Sequence, residues 1–493
     1  MKILEKGQEM MDLIIRNAQL VDGSGKPAKE GDLGIKDDRI AGIGDLSQER
    51  GSKELNVGGK VLSPGFIDSH THDDRAVLHD PLMSCKISQG VTTVITGNCG
   101  VSLAPLKYEQ RPPPPLDLVC EDPKLFFSEF SGYLKTLDQE PPSLNVAAQV
   151  GHSTLRLGAM DRLDREATPD EIKTMRSRLE SSLLDGAIGF STGLFYPPAG
   201  SSSTEEVIEI AKSLKQHHGI HSTHMRDEGD RIMDSLDETL KIGTQAQTPV
   251  IISHHKCAGI QNFGRSTETL KKIEEMRQKH PIGIDVYPYV AGSTMLSSGR
   301  AMNAQKILVT WSRPHPEAAG KELDEVAMDM NLDRESTIEK LSPAGGIFFM
   351  MDEKDVRRIL SYPHSIIGSD GLPHDDHPHP RLWGTFPRVL GYNVREKGLF
   401  SLEEGINKMT HKTALAFGLK DRGILRPGAY ADLVLFDPET ILDRATFDNP
   451  KEPASGIEWV MVNGRMVWNH QTHSGQRPGK VLRLQELDPP LMN

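Results

Sequence analysis

Histidine, cysteine and aspartate recur in this chain at the ends of short apolar runs. Phe66-Ile-Asp-Ser leads into His70-Thr-His72, Val94-Ile-Thr-Gly-Asn into Cys99, and Ile366-Ile-Gly-Ser into Asp370. His224 and His254 close two further runs, Gly219–His224 and Val250–His254. Thiolate, imidazole and carboxylate are the usual ligands of zinc, which polarises carbonyls and lowers the pKa of water. The chemistry implied is metal-assisted hydrolysis.

Side chains two apart on an extended chain point the same way, so His70 and His72 share a face. With 19 histidines in 493 residues such pairs also arise by chance. His377-Pro-His379 is a second one, read here as a loop feature. What distinguishes His70 and His72 is the buried strand they close, which follows Leu62-Ser-Pro-Gly. His224 and His254 have competitors. Alternation sends His221 and His224 to opposite sides, and likewise His254 and His255, while His217 and His218 lie nearby. Sequence alone leaves these pairs open. A carboxylate at the end of an apolar strand is costly unless it meets a metal or handles a proton, which singles out Asp370. The four cysteines, Cys85, Cys99, Cys120 and Cys257, have no regular spacing and predict no disulfide framework.

These groups need a scaffold that gathers them from distant segments. Strand candidates end near Asp68, Thr96, Val150, Ser191, Ser222, Ser253, Tyr287 and Ser369, and most are continuous apolar runs of the kind buried on both faces. Helices intervene, with start signals at Thr168-Pro-Asp-Glu171, Ser203-Thr-Glu-Glu206 and Ser401-Leu-Glu-Glu404. The pattern predicts an α/β fold, a (β/α)8 barrel over residues 62–417 whose strand ends build one site. Residues 1–61 and 418–493 carry hairpin-like segments, with Asn463-Gly464 as a turn signal, and are expected to form a small β-sandwich from both chain ends. Residues of about 293–345, with a charged helical piece at Pro316–Met330, are too long for a loop and predict an inserted subdomain before the last barrel strand.

Net charge is −12 with no basic block, which argues against nucleic acid or an anionic membrane surface as a partner. No apolar run approaches the roughly 20 residues needed to span a bilayer. The first nine residues carry acids where a signal peptide needs an apolar core, so a cytoplasmic location is expected.

The longer motifs carry a resemblance. Gly65-Phe-Ile-Asp-Ser-His-Thr-His, the strand-end His224 and His254, Asp370 and the late Gly428-Ala-Tyr-Ala-Asp-Leu-Val-Leu-Phe resemble the amidohydrolase superfamily. Gly90-Val-Thr-Thr-Val-Ile-Thr-Gly-Asn-Cys-Gly, Gly189-Phe-Ser-Thr-Gly-Leu-Phe-Tyr-Pro-Pro, Ser253-His-His-Lys, Gly368-Ser-Asp-Gly-Leu-Pro-His and Pro378-His-Pro-Arg-Leu-Trp-Gly are similar to its N-acyl-D-amino-acid deacylase branch. Many superfamily members carry a metal-bridging lysine after the fourth strand. Here Ile188-Gly-Phe-Ser-Thr-Gly-Leu has none, and the deacylase branch uses a cysteine that matches Cys99.

The resemblance implies one tight zinc on Cys99, His224 and His254, and a second, weaker metal site involving His70, His72 and Asp370. It implies Asp370 as the proton-transfer group, and Arg381, Lys256 and Tyr196 as the grip on the substrate's carboxylate. The expected activity is hydrolysis of N-acyl-D-amino acids, with neutral apolar side chains preferred. An acidic preference would draw on Arg300, a loop arginine expected to be solvated. A cyclic-amide hydrolase is a further alternative, disfavoured by the missing lysine.

Overall fold

The computed structural model describes residues 10–492. Residues 1–9, whose acids were contrasted with a signal peptide, lie outside the described residues. Eight parallel strands form a closed ring: β1 (Phe66–Asp68), β2 (Val91–Thr96), β3 (Asn145–Ala148, resuming at Val150–Gly151), β4 (Gly189–Gly193), β5 (Ile220–His224), β6 (Val250–Ile252), β7 (Ile282–Val286) and β8 (Ser365–Ile367). Each pairs in parallel with the next. The ring closes where Ser69 N donates to Ile367 O at 3.3 Å and Asp370 N to His70 O at 2.8 Å. A buried ion pair braces this seam: Lys86 Nζ lies 2.8 Å from Asp68 Oδ2, and Asp68 Oδ1 accepts from Ser369 N at 2.8 Å.

The apolar runs explain the ring, because every strand residue is buried and branched side chains fill the interior. Ile67, Ile95, Ala147, Ile220, Ile251 and Ile366 pack in one layer with Ile188, over Ala414, Ala416 and Phe417. This layer is the barrel's floor. Thr168 caps its helix through a complete capping box, and the Ser203 and Ser401 hydroxyls accept from Glu206 N and Glu404 N.

Both chain ends do meet in one nine-stranded sheet. Leu433–Phe436 pairs antiparallel with Val61–Pro64, which itself pairs with Met11–Leu20. Ile15, Leu33, Ile35, Leu433, Leu435 and Trp459 share its core. The Asn463-Gly464 turn forms, with both residues at positive φ, as a two-residue hairpin of this type requires. The C-terminal block is not all sheet, however. Leu482 joins the floor layer, and Asp488 N and Leu491 N donate to Gly418 O and Leu415 O at 2.9 and 2.8 Å. The tail covers floor residues that the sheet leaves bare.

Between β7 and β8 the inserted segment is a three-stranded antiparallel sheet, Ala291–Met295, Ala344–Phe349 and Lys306–Ser312 in spatial order. The charged piece within it is a short turn at Pro316–Ala318 followed by a helix at Leu323–Met330, and a second helix, Arg334–Leu341, follows. Met295 and Trp311 of this sheet pack with Cys99, so the insertion forms a wall of the barrel mouth.

Candidate active site

Three of the expected metal-binding residues sit in the left-handed region of backbone space: Cys99 at φ 52°, His254 at 39° and Asp370 at 51°. Non-glycine residues are uncommon there, each costs of order 1–3 kcal/mol, and such residues cluster at functional sites. Each is just past the end of its strand, where the reversal turns the side chain back over the barrel mouth. Gly97 makes the turn before Cys99 possible. It has φ 76°, and a Cβ there would lie 2.1 Å from Gln149 O.

The six expected metal-binding residues all come together, and all are buried. Cys99 Sγ lies 3.3 Å from both His70 Nε2 and His254 Nε2. Asp370 Oδ1 lies 3.5 Å from His70 Nε2 and 3.2 Å from His72 Nε2. The competing histidines have other partners. His221 hydrogen-bonds Thr192 at 3.1 Å, with burial pushing its ring down to about 3; His255 bonds Thr269 at 3.0 Å, with burial pushing its ring down to about 4. Both face away from the mouth.

Two groups of donors lie within 4.8 Å of one another, His70, Cys99, His254 and Asp370, and His224, Glu228 and His254; His254 belongs to both, so the expected Cys99, His224 and His254 trio spans them. Two acids brace these groups. Asp285 Oδ2 lies 3.2 Å from His70 Nδ1 and its Oδ1 accepts from His254 N at 2.8 Å, drawing both toward Cys99. Glu228 Oε2 lies 3.3 Å from His224 Nε2. Neither acid was singled out from the sequence. Asp285 did carry a signal, as a carboxylate inside the apolar run of β7; Glu228, in a polar loop, carried none.

Charge balance suits a metal. Burial alone would push the Cys99 thiol up, but the His70 and His254 rings outweigh it and hold it well below the ordinary thiol value. Burial also opposes the Asp370 carboxylate, and Arg381, then His254, hold it well below the usual range. His72 is lowered by burial yet raised by Asp370 and Cys99, with a net rise to about 9. His72 Nδ1 and His224 Nδ1 are buried without a partner. A soft thiol, imidazoles and a carboxylate, gathered within 4.8 Å, are a donor set that fits zinc.

Arg381, Lys256 and Tyr196, expected to grip a substrate carboxylate, all lie against residues of this cluster. Arg381 is fully buried, with Nη1 2.8 Å from Asp370 Oδ2 and Nη2 donating to Ser293 O at 3.3 Å. Lys256 is buried, its Nζ 2.6 Å from Glu228 Oε1. Tyr196 packs its ring 4.8 Å from that of His224 and bonds Thr294 at 3.2 Å. Arg300 is not the solvated loop charge expected. It stacks over Phe195 at 4.2 Å and places Nη2 2.8 Å from Glu228 Oε2, because the insertion folds its loop over the mouth. Leu118, Tyr196, Met295 and Leu372 form an apolar wall beside Cys99.

A parallel barrel with a Cys/His/Asp cluster at its strand ends is the architecture of a metal-dependent amidohydrolase, and residues 53–468 match the model of the Amidohydrolase family. The chain belongs to that family. It is 52% identical to a D-aminoacylase of Alcaligenes xylosoxydans xylosoxydans over 97% of this chain and 99% of that protein. It is 48% identical to an N-acyl-D-aspartate deacylase of the same organism, over 97% and 96% of the two chains. The crystal structure of N-acyl-D-glutamate deacylase from Bordetella bronchiseptica, complexed with zinc and a phosphonate mimic of the tetrahedral intermediate, superposes with a TM-score of 0.93. That match is at 42% identity and covers 96% of this chain and all of that one. Among the described residues no helix is long and apolar enough to cross a membrane.

Proposed function

We propose that this chain is a zinc-dependent hydrolase of N-acyl-D-amino acids, acting on small molecules in the cytoplasm and preferring neutral apolar side chains. The observation that carries the reading is the Cys99 thiol held between His70 and His254 with Asp370 beside them, in a chain 42–52% identical to deacylases. The cyclic-amide alternative gains no support, since β4 ends without a lysine.

Cys99, His224 and His254 hold the tighter zinc, and His70, His72 and Asp370 a weaker second ion. Zinc in this site supplies a Lewis acid for the amide carbonyl and lowers the pKa of water. Asp370, ionised and lying over the cluster, accepts the attacking water's proton and returns it to the leaving nitrogen. Lys256, Tyr196 and Arg381 bind the free carboxylate, Arg381 through its planar fork. Arg381 pairs with Asp370 in the free protein, so a substrate carboxylate competing for the guanidinium raises Asp370 toward the range in which a base works.

The decisive experiment is hydrolysis of matched N-acetyl-D- and N-acetyl-L-amino acids by zinc-quantified protein. Turnover of the D series is expected, and turnover of neither series would sink the assignment. Within the D series, N-acetyl-D-methionine is expected to have a higher kcat/KM than N-acetyl-D-glutamate. An apolar wall gains about 0.8 kcal/mol per buried CH₂, and a second carboxylate finds Arg300 already paired with Glu228. The reverse order would mean that Arg300 leaves Glu228 for the substrate.

Arg381→Ala is expected to cost N-acyl amino acids about 1.5–3 kcal/mol in kcat/KM, beyond its effect on the corresponding amides, which lack the carboxylate. Equal losses on both substrate sets would assign Arg381 to supporting Asp370 alone.

A further inference from the structure

Glu228 is an acid that the proposed reaction leaves without work, though it is 2% exposed and lies against four polar side chains of the site. Its Oε1 is 3.0 Å from His254 Nδ1 and 2.6 Å from Lys256 Nζ. Its Oε2 is 3.3 Å from His224 Nε2 and 2.8 Å from Arg300 Nη2. One carboxylate thus spans two imidazoles whose ring centroids are 4.4 Å apart and whose planes stand at 85°.

The two rings present opposite nitrogens to it. His254 turns Nδ1 to Glu228 and Nε2 to the Cys99 thiol. His224 turns Nε2 to Glu228 and leaves Nδ1 buried without a partner. A neutral imidazole has one N–H and one lone pair, and an ionised carboxylate only accepts. Lys256 Nζ and Arg300 Nη2 also lie 2.8 and 3.3 Å from these two nitrogens, but both cations sit closer to Glu228, at 2.6 and 2.8 Å, and direct their donors there. Each ring therefore places its proton on the nitrogen facing Glu228, leaving the other nitrogen's lone pair for a metal. Lys256 and Arg300 hold the carboxylate in place and offset its charge.

We propose that Glu228 is the positioning residue of the zinc site, a single carboxylate that fixes the tautomer and orientation of His224 and His254 together. It acts through these ligands and does not touch the reacting atoms. The inference rests on the zinc reading above, and the wild-type affinity separates the two: no zinc binding by the wild type sinks both, whereas binding lets the variants decide this one.

Glu228→Gln keeps the shape but can donate as well as accept, so it no longer dictates either tautomer. Outer partners of metal ligands are typically worth about 10–100-fold in metal affinity, and a loss in that range is expected from chelator competition. Arg300→Met removes one partner of Glu228 while Lys256 still holds the carboxylate on both rings, and is expected to lose less zinc affinity than Glu228→Gln. Equal losses in the two variants, or none in Glu228→Gln, would overturn the proposal. A readout in wild-type protein guards against a variant that fails to fold. In the zinc-titrated, ¹⁵N-histidine-labelled protein, His254 is expected to carry its proton on Nδ1 and His224 on Nε2; the opposite tautomer at either ring would equally overturn it.

Discussion

Cys99→Ala is expected to strip zinc and activity together. The thiolate is the softest donor in the site and lies 3.3 Å from both His70 and His254, so its loss removes the ligand that binds zinc most strongly. It also removes the charge that favours the nearby imidazoles' protonated forms. Alanine at a φ of 52° carries some backbone strain, so circular dichroism should accompany metal analysis. A folded variant with full zinc and full turnover would show that Cys99 is only a buried thiol.

Asp370→Asn is expected to lower kcat by about 10²–10⁴-fold while the tight zinc and the fold remain, since general acid–base steps are typically worth that much. Asparagine tolerates the left-handed backbone at Asp370 better than most residues, so the substitution is gentle on the chain. It keeps an oxygen toward Arg381 but cannot take a proton from water. Steady-state kinetics on zinc-matched protein decide the matter. A kcat within a few-fold of wild type would assign Asp370 to metal binding alone.

Much of the barrel was legible because burial on both faces writes itself into the chain as continuous apolar runs. All eight strands from β1 to β8 lie where those runs ended, and the chemistry-bearing residues of five of them were visible as polar groups closing apolar strands. Local signals of fixed chemistry also held, such as the Thr168 capping box and the Asn463-Gly464 hairpin turn. The two-sided sheet was readable as a set of strands at each chain end. That Leu433–Phe436 joins Val61–Pro64, and that the C-terminal tail closes the floor, followed from long-range packing that no short pattern records.

At the site, the residue types named themselves, and their pairings did not. Alternation could separate His221 from His224, yet which of them faced the mouth was decided only by how β5 sits in the ring. Asp285 and Glu228 reach their histidines from other strands or across a loop, and Arg300 becomes a part-buried partner of Glu228 because the insertion carries it there. Strand identity and ligand chemistry are short-range properties, set by hydrophobic pattern and side-chain type along the chain. Which donor meets which acid, and so which nitrogen each imidazole turns to that acid, is a distance between segments, and only the closed barrel sets it.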